Sequence, residues 1–314
     1  MTDIAALVAH LRGAVENLAP DSDRARFGIA VSGGPDSMAL LYLATRAFPG
    51  RVEAATVDHG LRPESAEEAE MVRRWCATQG ITHATLHPTS ARGTGNLHDW
   101  GRAQRYALLE AWRLERGVDW LFTAHHADDQ LETMLMRLNR GAGVGGLAGV
   151  RQRMGHVMRP LLGVRKSVLQ ALVDAERLPH VQDPSNADPR FDRSLMRGAL
   201  ADADWLDPLA AARSAAALGE AEQALAWTVD SLAREHVRQD GEGWRLKRTD
   251  LPRELQRRLL LWMLARAAPG APPPRGDSID RALAAASAGR KASLGDWLLL
   301  GGREWTLIPA PPRG

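Results

Sequence analysis

Sorted into apolar and polar positions, the first half of the chain alternates short apolar runs with longer stretches of helical period. Arg26-Phe27-Gly28-Ile29-Ala30-Val31 is strand-like, and the apolar run Met38 to Ala44 favours a helix. Val52 to Val57 predicts a second strand, Thr82 to Leu86 a third and Trp120 to Ala124 a fourth. Between them Glu64 to Gln79 carries Ala66, Ala69, Val72 and Cys76 at helical spacing. Helices are also predicted over Met1 to Pro20, about Leu97 to Arg116, and about Asp128 to Asn139, where Leu131, Met134, Leu135 and Leu138 form the apolar stripe. This alternation predicts an α/β fold built on a doubly wound parallel sheet. Ligands of such sheets bind at the carboxyl ends of the strands.

Beyond residue 150 the pattern turns helical. Arg159 to Lys166 precedes a helix over about Ser167 to Glu176, and Asp183-Pro184-Ser185-Asn186 is a polar turn followed by Arg190, Arg193 and Arg197. Pro208 to Arg266 reads as two helices, Pro269 to Gly276 as a linker, Asp277 to Ala288 as a short helix, and Trp297 to Ile308 as a hairpin about Gly301-Gly302. The expected division is a catalytic domain over 1–204 and a smaller, mainly helical domain with a terminal β-hairpin over 205–314.

Composition changes this picture little. The chain is 45% hydrophobic and 25% charged, which excludes a disordered protein. One cysteine, Cys76, excludes a disulfide framework and any Cys-x-x-Cys site, and fits a cytoplasmic location. No stretch approaches a membrane span. The net charge of +2 is uneven: residues 151–200 hold 9 Lys/Arg against 5 Asp/Glu, a basic excess on which a polyanion could dock.

The candidate chemistry begins at Ser32-Gly33-Gly34-Pro35-Asp36-Ser37, between a strand and a helix. That order aims backbone N–H groups and a helix dipole at a phosphate. Gly33 and Gly34 allow close approach of an anion, Pro35 suits the first helical turn, and Ser32 and Ser37 add hydroxyls. A carboxylate in an anion loop, Asp36, implies an intervening cation, and magnesium suits it. Two further motifs fall at strand ends: Asp58-His59-Gly60, and Thr123-Ala124-His125-His126 leading to Asp128, Asp129 and Glu132. Asp129 and Glu132 share a helix face, as do Arg102 and Arg105, a pair suited to a phosphate chain. Gly141 to Gly146 matches G-x-G-x-x-G but follows a helix, so a flexible loop near a substrate is expected rather than a dinucleotide site.

Ser32 to Ser37 resembles the SGGxDS pyrophosphate loop of the N-type ATP pyrophosphatases, the Rossmann-like PP-loop enzymes. With it stand Val57 to Arg62, Asn96-Leu97, Arg102, Arg105-Tyr106, Thr123 to His126, Asp129-Gln130, Glu132-Thr133, Arg140 to Gly149, Arg159-Pro160-Leu161-Leu162 and Asp183 to Asn186. As a set, over roughly residues 27–200, these resemble the bacterial tRNA(Ile)-lysidine synthetases, in their short form without an extra C-terminal domain. His98, Gly101 and Ser194 depart from the residues usual there.

The resemblance implies a ligase that uses ATP and magnesium. ATP adenylates the C2 oxygen of the wobble cytidine of isoleucine tRNA with a CAU anticodon; free lysine then attacks C2 and displaces AMP to form lysidine. It also implies roles. Ser32, Gly33, Gly34, Pro35, Asp36, Ser37, Asp58 and Arg105 would bind ATP. Asp36 and Asp129 would hold magnesium, and Asp129 and Glu132 would bind lysine. The catalytic set would be Asp36, Arg105, His125, Asp129 and Glu132, with His126 an alternative proton carrier. Residues 205–314 would handle tRNA. No membrane partner is expected, and a homodimer is left open. The alternatives are another adenylating enzyme of the group, a tRNA thiolase or an amide ligase, and a non-enzymatic nucleotide-binding regulator.

Overall fold

The computed structural model describes residues 3–60, 64–88, 97–181, 192–200 and 203–311. Contacts divide the chain into two units, 1–219 and 220–314.

The first unit is a six-stranded sheet flanked by helices. In chain order its elements are α1 (Ile4–Leu18), β1 (Phe27–Ala30), α2 (Pro35–Ala47), β2 (Val52–Val57), α3 (Glu64–Thr78), β3 (Thr82–Leu86), α4 (Leu97–Arg116), β4 (Trp120–Phe122), α5 (Ala127–Leu138), α6 (Val144–Leu147), β5 (Arg153–Met154), β6 (Val157–Met158), α7 (Lys166–Ala175) and α8 (Asp192–Leu200). The strand order is β3-β2-β1-β4-β6-β5, parallel except for β5, which runs antiparallel to β6 at the edge. From β1 the chain winds outward through β2 and β3, then returns to place β4 on the other side of β1. The reversal opens a crevice at the carboxyl ends of β1 and β4, where an open α/β sheet binds its ligand.

Alternation along the strands feeds two cores. Phe27, Ile29, Ala54, Phe122 and Met158 face Leu11 and Val15 of α1, Leu40 and Leu43 of α2, Val72 and Cys76 of α3 and Leu169 and Leu172 of α7. Ala55, Leu121 and Val157 face Leu109 and Trp112 of α4. Phe27 anchors the first core, with ring centroids 4.3 Å from Phe48 and 5.0 Å from Phe122. Each buried ring contributes about 1.5–3 kcal/mol of transfer free energy. Gly28, on the opposite face, leaves room for Trp112; a Cβ there would stand 2.6 Å from the indole.

The second unit adds to the end of α9 (Pro208–His236) a hairpin of β7 (Val237–Asp240) and β8 (Gly243–Leu246). Then follow α10 (Arg253–Ala267), α11 (Gly276–Ser287), β9 (Lys291–Leu294), β10 (Trp297–Leu300) and β11 (Trp305–Pro309). The terminal hairpin read from the sequence is the pair β10–β11, with Leu298 opposite Ile308. It belongs to a five-stranded antiparallel sheet, β7-β8-β11-β10-β9, whose Leu246, Leu294, Leu299, Trp305 and Leu307 pack on Leu259, Met263, Ile279 and Leu283. The unit is thus mainly helical, as the sequence pattern suggests, with a five-stranded sheet where the sequence showed one hairpin. The two helices read over Pro208 to Arg266 are separated by β7 and β8, whose turn at Gly241 takes φ of +61°. Among the described residues no helix is long and apolar enough to cross a membrane.

Candidate active site

The crevice at β1 and β4 is built from the backbone upward. After β1, Gly33 takes φ of +82°, which turns the chain into α2. Its carbonyl accepts from the Val181 N–H at 2.9 Å, holding the turn from outside. The Ser37 hydroxyl is buried and knits the loop together: it accepts from the Ser32 N–H at 3.2 Å and donates to the Gly34 carbonyl at 2.9 Å. Gly34 is the N-cap of α2 and supplies no side-chain acceptor, and Pro35 lacks an N–H. The first turn of α2 is thus a positive helix end without an internal cap. Asp36 lies in that turn, and its Oδ1 is buried without a hydrogen-bond partner among the described residues.

From β4 the chain runs through Thr123 and Ala124 to His125 and His126. The His125 Nδ1 lies 3.0 Å from the Thr123 hydroxyl. His126, 2% exposed, caps α5: its Nδ1 accepts from the Asp129 N–H at 3.3 Å, and its own N–H donates to Asp129 Oδ2 at 3.2 Å. Its Nε2 points at two carboxylates, Asp36 Oδ2 at 3.6 Å and Asp129 Oδ2 at 3.5 Å. Burial pulls the imidazole pKa down. The bond to Asp36 and the negative charges of Asp129, Asp36 and Asp128 outweigh it and hold the pKa above its ordinary value. His126 therefore joins the two sequence-predicted metal residues, Asp36 and Asp129, from separate strand ends.

A buried carboxylate oxygen without a donor, beside a second carboxylate at an anion-receiving helix end, fits a hard cation. Among the described residues no three-side-chain metal cluster forms. The two carboxylates would thus supply part of a magnesium shell, with water and phosphate oxygens completing it, as that ion prefers.

The acids of α5 divide by partner. Asp128 accepts from the Lys166 N–H at 2.7 Å and so caps α7. Glu132, 5% exposed, accepts from Arg197 Nε at 2.7 Å, and a second Arg197 nitrogen stands 3.6 Å from Asp129 Oδ1. Burial lowers the Arg197 pKa, but the bond to Glu132 and the charges of Glu132, Asp129 and Asp36 raise it overall. Arg197 is a site residue that sequence reasoning treated only as part of a basic stretch. Gln130 is another. Its side chain accepts from the Val150 N–H at 2.7 Å and donates to the Val150 carbonyl at 3.2 Å, while Arg137 donates to the Gly146 and Gly149 carbonyls. The glycine segment expected as a loop holds the short α6 and is tied back to α5 by these bonds.

On the other flank, Asp58 follows β2. One carboxylate oxygen accepts from the Gly60 N–H at 2.8 Å and the Ser65 hydroxyl at 2.6 Å; the other stands 3.8 Å from His87. Burial raises its pKa, but these two hydrogen bonds with the His87 and His59 rings hold it below the ordinary range. His59 has both ring nitrogens buried without partners among the described residues, and burial together with the Arg105 cation lowers its pKa. The Arg105 charge is thus felt at the β2 end, and Arg102 stands over the Tyr106 ring at 5.2 Å. Leu61, Arg62, Asn96, Asp183 to Asn186 and Arg190 lie outside the described residues, as does the side chain of Arg193.

Among known families, the PP-loop domain matches residues 7–203. The tRNA(Ile)-lysidine synthase of Zymomonas mobilis is 40% identical over 298 residues, 92% of this chain and 89% of that protein. Those of Ruegeria pomeroyi and Novosphingobium aromaticivorans are each 43% identical, covering 96% and 86% of this chain and 76% and 84% of theirs. Among solved structures, the U34-tRNA thiolase NcsA of Methanococcus maripaludis aligns with a TM-score of 0.56 at 18% identity, over 68% of this chain and 78% of that one, a likeness of fold alone. With a matched PP-loop domain and relatives this similar over three quarters or more of their length, the chain belongs to the tRNA(Ile)-lysidine synthase family of PP-loop proteins.

Proposed function

We propose that the chain forms lysidine on isoleucine tRNA with a CAU anticodon. The C2 oxygen of the wobble cytidine attacks the α-phosphorus of ATP and pyrophosphate leaves. The ε-amine of free lysine then attacks C2 and AMP leaves. The observation that carries this reading is the uncapped first turn of α2 with the unbonded Asp36 oxygen, facing His126 and Asp129 across the crevice.

The residues divide the work. The N–H groups after Ser32 and the Ser32 hydroxyl receive the pyrophosphate, and the Ser37 hydroxyl holds the loop in shape for it. Asp36 and Asp129 hold magnesium, which when bound offsets the repulsion between carboxylate and phosphate. Asp58, bonded to Gly60 and Ser65, stands beside the nucleotide, and Arg105 stabilises charge on the α-phosphate as it is transferred. Asp129 and Glu132 bind the lysine ammonium by charge-assisted hydrogen bonds, for which the Arg197 guanidinium must give way. His126 is committed to capping α5 and bridging Asp36 and Asp129. His125, only half-buried and aligned by Thr123, is the better placed of the two to take a proton from the incoming amine. The chain from 205 onward handles tRNA through its scattered arginines.

The first half-reaction is testable alone. With ATP, magnesium and unmodified isoleucine tRNA but no lysine, pyrophosphate release should require the tRNA and its wobble cytidine. Equal release without tRNA would contradict the reading.

A further inference from the structure

Arg159 has no part in the chemistry above, yet its environment is unusual. It follows β6, whose parallel partner β4 leads through Thr123 and Ala124 to His125 and His126, so it stands at the same carboxyl edge of the sheet. It is 3% exposed. One terminal nitrogen donates to the Arg151 carbonyl at 2.8 Å, the other to the Tyr106 hydroxyl at 3.5 Å, and Nε is buried without a partner. Among the described residues no carboxylate faces it. A guanidinium removed from water without a counter-charge is costly, so a fold that keeps one gains from it when an anion is present.

Tyr106 gives that charge a direction. Its ring packs on the core under α4, beside Leu109, Trp112 and Val157. Arg102 stands over the same ring, and Arg105 lies within electrostatic reach of both Tyr106 and Arg102. Neither Arg102 nor Arg105 has an ion-pair partner among the described residues. Arg159 at its hydroxyl and Arg102 over its ring thus meet at one tyrosine, with the Arg105 charge within reach and no pairing acid among the described residues.

We propose that Arg159, acting through Tyr106, is a positioning residue for the phosphate site: its buried charge and its bond to the hydroxyl hold the Arg102 and Arg105 face of α4 toward the phosphates of ATP. The inference rests on the reading of Arg105 as a phosphate ligand.

The test compares the full-length wild type with Arg159→Met, Arg159→Lys and Tyr106→Phe. Affinity for ATP with magnesium is read by calorimetry without tRNA or lysine; the KM for tRNA and the melting temperature are read in parallel. Arg159→Met should weaken ATP binding on the order of tenfold or more, the loss expected for a charged hydrogen bond. Arg159→Lys should recover most of it, Tyr106→Phe should weaken binding in the same direction, and the tRNA KM should stay unchanged. A lower melting temperature with ATP affinity intact would overturn the proposal in favour of a purely structural arginine. A raised tRNA KM with ATP affinity intact would overturn it too, since the phosphate served would then be the RNA's. Because binding is read without turnover, a wild type that binds ATP but transfers no lysine would fail the functional reading while this comparison still decides.

Discussion

The Arg197 guanidinium donates to Glu132 at 2.7 Å across 65 residues of sequence, from one helix of the crevice to another. The contact joins α8 to α5 and fills the carboxylate pair proposed for the lysine ammonium. An arginine and a lysine side chain satisfy the same carboxylates by the same charge-assisted bonds, so part of the pair's negative charge is offset before its substrate arrives. A carboxylate this buried would otherwise be destabilising.

Glu132→Gln should therefore separate the two half-reactions. Adenylation of tRNA should stay close to normal while the lysine KM rises. The loss of one charged hydrogen bond, about 1.5–3 kcal/mol, corresponds to roughly 10–150-fold in kcat/KM for lysine. Single-turnover adenylation and steady-state lysine kinetics provide the check. Failed adenylation with an unchanged lysine KM would place Glu132 on the metal instead.

Asp36→Ala should abolish magnesium-dependent adenylation and leave the fold intact, because Asp36 Oδ1 makes no hydrogen bond and His126, which loses Oδ2, keeps Asp129 as its partner. Tubes with tRNA, ATP and rising magnesium should show no recovery of pyrophosphate release, and the melting temperature should hold. Wild-type rates in the mutant would remove Asp36 from the site.

Two glycines are held by close neighbours and should report on the frame of the site. Gly149 has φ of +61°, and a Cβ there would stand 2.6 Å from Gln130 Oε1, the side chain that fastens Val150. Gly149→Ala should cost about 1–3 kcal/mol, as expected for a strained backbone position. Gly28→Ala, pressed against Trp112, should cost about 1–3 kcal/mol by overpacking. Urea unfolding measures both, and unchanged midpoints would mean that the surroundings relax freely.

Asp58 sets a pH dependence. Its carboxyl is held below the ordinary 3.8, so the folded form binds its proton less readily than the unfolded chain. Its contribution is present above the ordinary value and is lost as pH falls through the depressed one. Asp58→Asn should flatten the acid limb of the stability curve below about pH 4 and leave its shape near neutrality unaltered. An acid limb identical to the wild type would show that the Gly60 and Ser65 bonds do not favour the charged form.

Much of this architecture is legible in local pattern. Thr82–Leu86 and Leu97–Arg116 stand where period and punctuation place them, because an alternating run and a long amphipathic stripe each admit one regular structure. The Ser32 loop is legible too, since strand, glycines and helix are contiguous. What escapes is set by distant partners. β5 and β6 are two residues each and exist through pairing with one another and with β4. β7, β8 and β9 complete a sheet around Trp305 and Leu307, and their own runs of four residues carry little alternation. The same holds in the crevice. Asp128, Asp129 and Glu132 are adjacent in sequence, yet only the fold assigns the first to Lys166 and the last to Arg197.

The most direct measurement is transfer of radiolabelled lysine from solution to unmodified isoleucine tRNA by the purified protein with ATP and magnesium. The label should become stable in the tRNA, depend on ATP, release AMP and pyrophosphate in equal amounts, and vanish when the wobble cytidine is replaced by uridine. ATP consumption with no lysine in the tRNA, or equal labelling of the uridine variant, would contradict lysidine formation.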